Sequence, residues 1–271
     1  MIELTKKKIV IFCISGLLAG FLSGFFGIGG GVVIVPLLIM CGYKQRYANA
    51  TSLVAILPAS IVGTISYLTS GEIHYPTAII LACSIIAGAQ IGTKLLEIVP
   101  EKVLQWAFFA ALAAVGIQQL IADPVRGAEV ILTPALGAGL VLVGLVAGTL
   151  SGMLGIGGGL IAVPAMTFIF QMSDLTARGT SLLMMIPGTI SGTLRNRKNK
   201  LADIKVGLII GLCACITTTF GKLSVEKITP KTAAMFFGIF AFAIIARTIV
   251  SALKEKNNPA GPSDQDPQDN N

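Results

Sequence analysis

Polar and apolar residues are not interleaved along this chain; they are separated into long blocks. The charge-free runs are Ile9–Tyr43, Tyr47–Gly71, Ile73–Thr93, Val103–Ala122, Val130–Ser173, Gly179–Leu194, Val206–Gly221 and Thr232–Ala246. A bilayer-crossing helix needs about 20 apolar residues, so these runs predict a polytopic all-α membrane protein. The later, shorter runs are flanked by Arg and Lys, whose stems reach the membrane interface. The first and fifth runs hold 35 and 44 residues. As straight helices they would measure roughly 52 and 66 Å at 1.5 Å per residue. One crossing of a core about 30 Å thick cannot use that length. Each must fold back, span twice or contain a broken helix.

The break is visible as Gly27-Ile28-Gly29-Gly30-Gly31 in the first run and Gly155-Ile156-Gly157-Gly158-Gly159 in the fifth. Each glycine costs a helix about 1 kcal/mol relative to alanine. Four in five residues end one helix and let another start, at Val32 and at Leu160. The freed backbone groups cannot face lipid, so they are buried in protein or line a wet cavity.

The two breaks belong to a duplication. Gly16–Pro36 and Gly144–Pro164 agree at 14 of 21 positions at an offset of 128. After one inserted residue the match resumes. Thr51-Ser52-Leu53 pairs with Thr180-Ser181-Leu182, Pro58 with Pro187, and Gly63-Thr64 with Gly192-Thr193. Low complexity does not keep Ser, Thr and Pro in register. The expected organisation is a first membrane repeat over 1–125, a second over 126–253, and a disordered cytoplasmic tail over 254–271. Each repeat is one broken, re-entrant hairpin followed by three transmembrane helices. Lys6-Lys7-Lys8 before an apolar stretch resembles a signal peptide, but the mid-chain copy favours a retained membrane segment.

Composition narrows the picture further. Hydrophobic residues make up 54% and charged residues 12% of 271, against about 25% charged in soluble domains. That excludes a soluble enzyme, a disordered regulator and a nucleic-acid-binding domain. The net charge of +7 comes from Lys and Arg clustered between apolar runs, which is how membrane proteins are oriented. If each long segment returns to the side it left, 15 basic residues fall inside and 5 outside; a single crossing gives 12 and 8. The first split obeys the positive-inside rule better. Lys44, Arg46 and the Arg195–Lys200 loop then face the cytoplasm, as do both termini, while Asp123–Glu129 and Lys222–Lys231 face outward. Three helices after each hairpin make the halves inverted repeats, an arrangement common in secondary transporters.

Chemistry at membrane depth centres on the breaks. A helix start exposes unpaired N–H groups and a partial positive charge of about half an elementary unit. Glycine lets a ligand approach that backbone closely. Gly27, Gly29, Gly30, Gly31, Gly155, Gly157, Gly158 and Gly159 are therefore candidate substrate-binding residues. So are the nearby hydroxyls of Ser23, Ser151, Thr51, Ser52, Thr180 and Ser181, which can donate to an oxyanion. Asn49, Gln90 and Arg178 are candidate pathway residues, Asn49 lying near the place equivalent to Arg178. Against this, the glycines can be simple bends and the hydroxyls can bond to backbone carbonyls. The stripes Gly16, Gly20, Gly24 and Gly144, Gly148, Gly152 read as helix-packing surfaces. Gly27–Gly31 is not a phosphate loop, because no Gly-Lys-Ser/Thr follows. Cys13, Cys41, Cys83, Cys213 and Cys215 have no metal spacing and read as small core residues. His74 reads as a solvated loop residue. No cofactor and no metal site is expected. No Asp or Glu lies deep in an apolar run, where proton-coupled pumps carry one. Nucleotide-binding motifs and a Ser-His-Asp set with a plausible base are also lacking, so the expectation is not an enzyme.

The pattern Gly20-x-x-Ser23-Gly24-x-x-Gly27-x-Gly29-Gly30-Gly31, followed by Val35-Pro36 and repeated through Val163-Pro164, resembles the TauE/SafE family of sulfite and organosulfonate permeases. Gly88-Ala89-Gln90-x-Gly92 resembles that family's third-helix pattern. The resemblance runs to about residue 253. It implies a multi-pass permease of the bacterial or archaeal cytoplasmic membrane, exporting small sulfur-containing anions such as sulfite, sulfoacetate or thiosulfate. The substrate within that range and the oligomeric state, a homodimer among the options, are not implied. A non-transporting membrane protein, an assembly factor or a membrane-embedded enzyme using the same cavity, is the alternative.

Overall fold

The computed structural model describes residues 6–121 and 133–257, with 6–7 and 247–257 described by backbone alone. The predicted Asp123–Glu129 loop and the tail after Asn257 lie outside the described residues. The elements are α1 (Lys6–Phe26), α2 (Gly31–Met40), α3 (Gln45–Leu68), α4 (Tyr75–Ile98), α5 (Glu101–Ile121), α6 (Pro134–Leu154), α7 (Gly159–Pro164), α8 (Asp174–Lys198), α9 (Ile204–Glu226) and α10 (Pro230–Asn257). A π-helical turn, Ala165–Ile169, prolongs α7. No strand occurs among the described residues. Among the described residues six helices, α1, α3, α4, α5, α6 and α9, are long and apolar enough to cross a membrane. α10 carries helix to Asn257, beyond the expected boundary at 253.

Both long segments break at the glycines and fold back. α1 has 21 residues and α2 has 10, roughly 31 and 15 Å at 1.5 Å per residue, a full crossing followed by half of one. In the second half the Phe170 ring lies 3.2 Å from where a Cβ on Gly139, near the start of α6, would sit. That returning limb therefore ends beside the beginning of its own hairpin.

Helix packing follows the small residues. Gly16 faces Ile210 and Cys213, Gly20 faces Ala214, and Gly24 faces Thr218, so α1 and α9 run parallel. A Cβ on Gly148 would lie 2.5 Å from the Ile85 carbonyl oxygen, and one on Gly152 2.6 Å from that of Ala89. α6 and α4 are thus parallel too, at equally close range. α3 and α8 run antiparallel: a Cβ on Gly63 would lie 2.8 Å from the Leu182 side chain, and one on Gly192 2.9 Å from that of Leu53. Without a hydrophobic force between helices in lipid, such close backbone approach is what holds them. The large side chains go outward. On α9, Leu212, Ile216 and Phe220, four residues apart, are all exposed, while Gly207, Gly211, Ala214, Thr218 and Gly221 are buried. That is the reverse of a soluble helix and matches a lipid-facing stripe.

Candidate functional site

The two glycine breaks meet in the middle of the molecule. All residues from Gly27 to Gly31 and from Gly155 to Gly159 are buried. A Cβ on Gly31 would lie 2.8 Å from Ile156 Cα, and one on Gly159 2.8 Å from Ile28 Cα. The blocks therefore cross in opposite directions, residue 27 against 159 and 31 against 155. Gly27, Gly29, Gly30, Gly155, Gly157 and Gly158 all have positive φ, between 70° and 83°, a region other residues enter only at a cost of about 1–2 kcal/mol. At the centre, the side chains of Ile56 and Met185 stand against both Gly29 and Gly157. These two residues occupy matching places on α3 and α8.

A broken helix leaves orphan carbonyls at its end. Here four of the five capping side chains come from the other half of the chain, and Tyr67 caps within its own half. Ser181 Oγ donates to Gly27 O at 3.0 Å, Arg178 Nη1 donates to Phe25 O, and Tyr67 Oη donates to Gly24 O at 2.8 Å. On the other hairpin, Ser52 Oγ donates to Gly155 O at 2.6 Å and Asn49 Nδ2 donates to Met153 O at 3.0 Å. Asn49 and Arg178 do the same task at matching positions. The amide ends differ. Gly30 and Gly158, which cap α2 and α7, have no side chain to offer the helix start, and the Val33 and Ile161 amides turn back onto Gly30 O and Gly158 O.

The other predicted residues divide. Thr51 and Thr180 lie next to the capping serines, fully buried, but turn away from the crossing. Thr51 Oγ1 accepts from the Asp203 amide and Thr180 Oγ1 from the His74 amide, each at 3.0 Å. They tie α3 and α8 to the loops that start α9 and α4. Ser23 Oγ is buried without a hydrogen-bond partner, and Ser151 is buried with its Cβ 3.6 Å from the Cβ position on Gly158. Gln90 stands apart: it is exposed and donates to Ser191 O at 3.2 Å and Ser191 Oγ at 2.7 Å, while Arg195 donates to its carbonyl.

Two readings of single residues change. His74 is not a free loop side chain; its Nδ1 accepts from the Thr77 amide at the start of α4. A buried carboxylate does exist: Asp174 pairs with Arg178 at 3.6 Å, their side chains 2% and 6% exposed. It sits one residue past the end of the fifth charge-free run, at the start of α8, so a search within apolar runs passes over it.

Residues 3–136 and 140–269 match the family model described as "Sulfite exporter TauE/SafE". The chain belongs to the sulfite exporter TauE/SafE family. A "Probable membrane transporter protein" of Xylella fastidiosa (strain 9a5c) is 28% identical over 216 residues, 77% of this chain and 82% of its own. Another, from Methanocaldococcus jannaschii, is 37% identical over 125 residues, 43% of this chain; the match spans about half, 47%, of that relative's length. An Arabidopsis thaliana "Sulfite exporter TauE/SafE family protein 2" is 38% identical over 87 residues, 32% of this chain and 19% of its own. With its six long apolar helices, this TauE/SafE family member is a multi-pass membrane protein.

One prediction concerns the capping. Asn49→Ala is expected to destabilise the protein by about 1–2 kcal/mol, because it leaves Met153 O buried and unpaired. Gln45, whose Nε2 donates to Asn49 Oδ1 at 2.8 Å, loses its acceptor as well. Thermal unfolding in detergent checks this. An unchanged midpoint would mean that water replaces the amide.

Proposed function

We propose that the protein is a permease for small sulfur-containing anions: sulfite, sulfoacetate or a related organosulfonate, or thiosulfate. In this reading it exports them across the cytoplasmic membrane, and the two glycine breaks form the central site. One observation carries the choice of an anion. At the crossing, five side chains donate to the carbonyl ends of α1 and α6, while the amide ends at Gly30 and Gly158 receive no side-chain cap. The carbonyls of Gly24, Phe25, Gly27, Met153 and Gly155 each already accept a side-chain hydrogen bond. The free polarity is positive, and an anion beside a helix start gains about 0.3–2 kcal/mol. Ile56 and Met185 fill the space between the blocks, so passage requires their displacement.

The same reading makes the halves, 1–125 and 126–253, inverted repeats about an axis through the crossing. Its support is the antiparallel run of the matching helices α3 and α8 and the reciprocal capping. With the 15-to-5 charge split, both termini lie in the cytoplasm. A cysteine introduced at the exposed Lys200 should then be labelled only from the cytoplasmic side, and one at the exposed Lys227 only from outside, in a chain freed of its native cysteines. Labelling of both from one side would remove the inverted arrangement.

The function itself is tested by flux of sulfite, thiosulfate and sulfoacetate in proteoliposomes, with chloride, sodium and ammonium as comparisons. Saturable movement of at least one sulfur anion is expected. Inside-negative potential should accelerate its outward movement, each charge contributing about 2.3 kcal/mol per 100 mV. Transport or stabilisation by a cation alone would overturn the assignment.

A further inference from the structure

The capping at the two ends of the crossing is done by chemically unequal pairs. At the start of α3, Gln45 donates to Asn49 and Asn49 donates to Met153 O. At the matching place on α8, Asp174 pairs with Arg178, and Arg178 donates to Phe25 O. Asn49 shows that a neutral amide suffices to cap the carbonyl. The charge of Arg178, and four of its five N–H groups, exceed that task. Nη2 faces Asp174. Nε is buried with no hydrogen-bond partner. Arginine is never deprotonated, so this donor cannot be silenced by losing its proton.

Arg178 also borders a small cavity of about 10 Å³, shared with Ile28, Leu160, Val115, Gln119 and Ala233. That is close to the smallest volume that holds one water or one oxygen atom. Its roof comes from α5 and α10, which pack chiefly on each other. The cavity beside the other returning limb is different: about 190 Å³, lined by residues such as Val35, Phe108 and Ile244, with Gln45 and Gln105 and no charged side chain.

We propose that Arg178 anchors the transported anion at one end of the pathway, with Gln119 as the second donor. One oxygen of the anion occupies the small cavity and accepts from the Nε–H that no protein group uses. Asp174 balances the guanidinium when the site is empty, so no bare charge is stranded in the membrane. Admitting the whole anion moves α5 and α10 away from α7. The inference rests on the anion-permease reading and assigns it a residue, a second donor and an asymmetry between its two ends.

The test uses the full-length protein in detergent, titrated calorimetrically with sulfite, thiosulfate and sulfoacetate. Arg178→Lys keeps the charge but loses the Nε–H, and should weaken the binding anion at least tenfold. Gln119→Leu touches neither Phe25 nor Asp174, so it should fold normally and weaken binding three- to tenfold. Ala233→Val fills the cavity and should weaken it at least tenfold. Gln105→Leu, in the apolar cavity, should bind like the parent. Wild-type affinity in folded Gln119→Leu and Ala233→Val overturns the inference even if Arg178→Lys fails to fold. If those variants bind normally and Gly30→Val does not, the permease reading stands without it. If the parent protein responds to no anion, both fall.

Discussion

Replacing Gly31 or Gly159 by alanine is expected to destabilise the protein by about 3 kcal/mol and to abolish anion flux. A Cβ on Gly159 would lie 2.5 Å from Gly27 O, and one on Gly31 would press on Gly155 O. Both obstacles are backbone atoms, so no side chain can rotate out of the way. Both carbonyls are also pinned, Gly27 O by Ser181 and Gly155 O by Ser52. The two breaks would have to separate, which unmakes the caps and the site together. Two other glycines provide the comparison, since a Cβ on either meets nothing within 4 Å. Gly137→Ala, inside α6, should stabilise by up to about 1 kcal/mol through helix propensity. Gly71→Ala should cost about 1–2 kcal/mol, because φ there is 72°. Thermal unfolding in detergent and proteoliposome flux check the set. Normal flux in Gly159→Ala would mean that the crossing opens widely during transport.

A still larger effect is expected from Gly24→Leu and Gly92→Leu, which should leave almost no folded protein. Gly24 packs directly on the Thr218 carbonyl of α9, and Gly92 on the Thr149 carbonyl of α6. A leucine at either place forces two parallel helices apart along their whole contact and removes the close approach on which lipid-embedded packing depends. Cys83→Leu, on an exposed position of α4, should be close to neutral. Folded yield by size-exclusion in detergent separates these cases. Monodisperse Gly24→Leu at parental yield would show that α1 does not need α9.

The glycine breaks, the helical membrane class and the matching positions of Asn49 with Arg178 were legible in the sequence, because each rests on composition or register. The partners of the hydroxyls were not. Ser52 and Ser181 carry the same side chain whether they donate to a substrate or to a carbonyl, and only the crossing shows Gly155 O and Gly27 O accepting their hydrogen bonds. Ile56 and Met185 escaped because they differ in identity, while the duplication was traced through identical residues. Asp174 escaped because burial at a helix start depends on Arg178 folding over it, not on hydropathy. Tyr67 carries no distinguishing signal in its apolar run; its role lies in the bond from its hydroxyl to Gly24 O.

The reciprocal caps also set an order on synthesis. Phe25 O and Gly27 O receive their donors from residues 153 and 154 positions further along the chain. At about 5–20 residues per second on the ribosome, that delay is roughly 8–30 s. Through that interval Phe25 O and Gly27 O lack these donors while α3, α4 and α5 are being inserted. These carbonyls must stay wetted, or be held by the insertion machinery, until α8 arrives. The nascent first half is thus the vulnerable stage in this protein's biogenesis, and slow synthesis of the second half prolongs it.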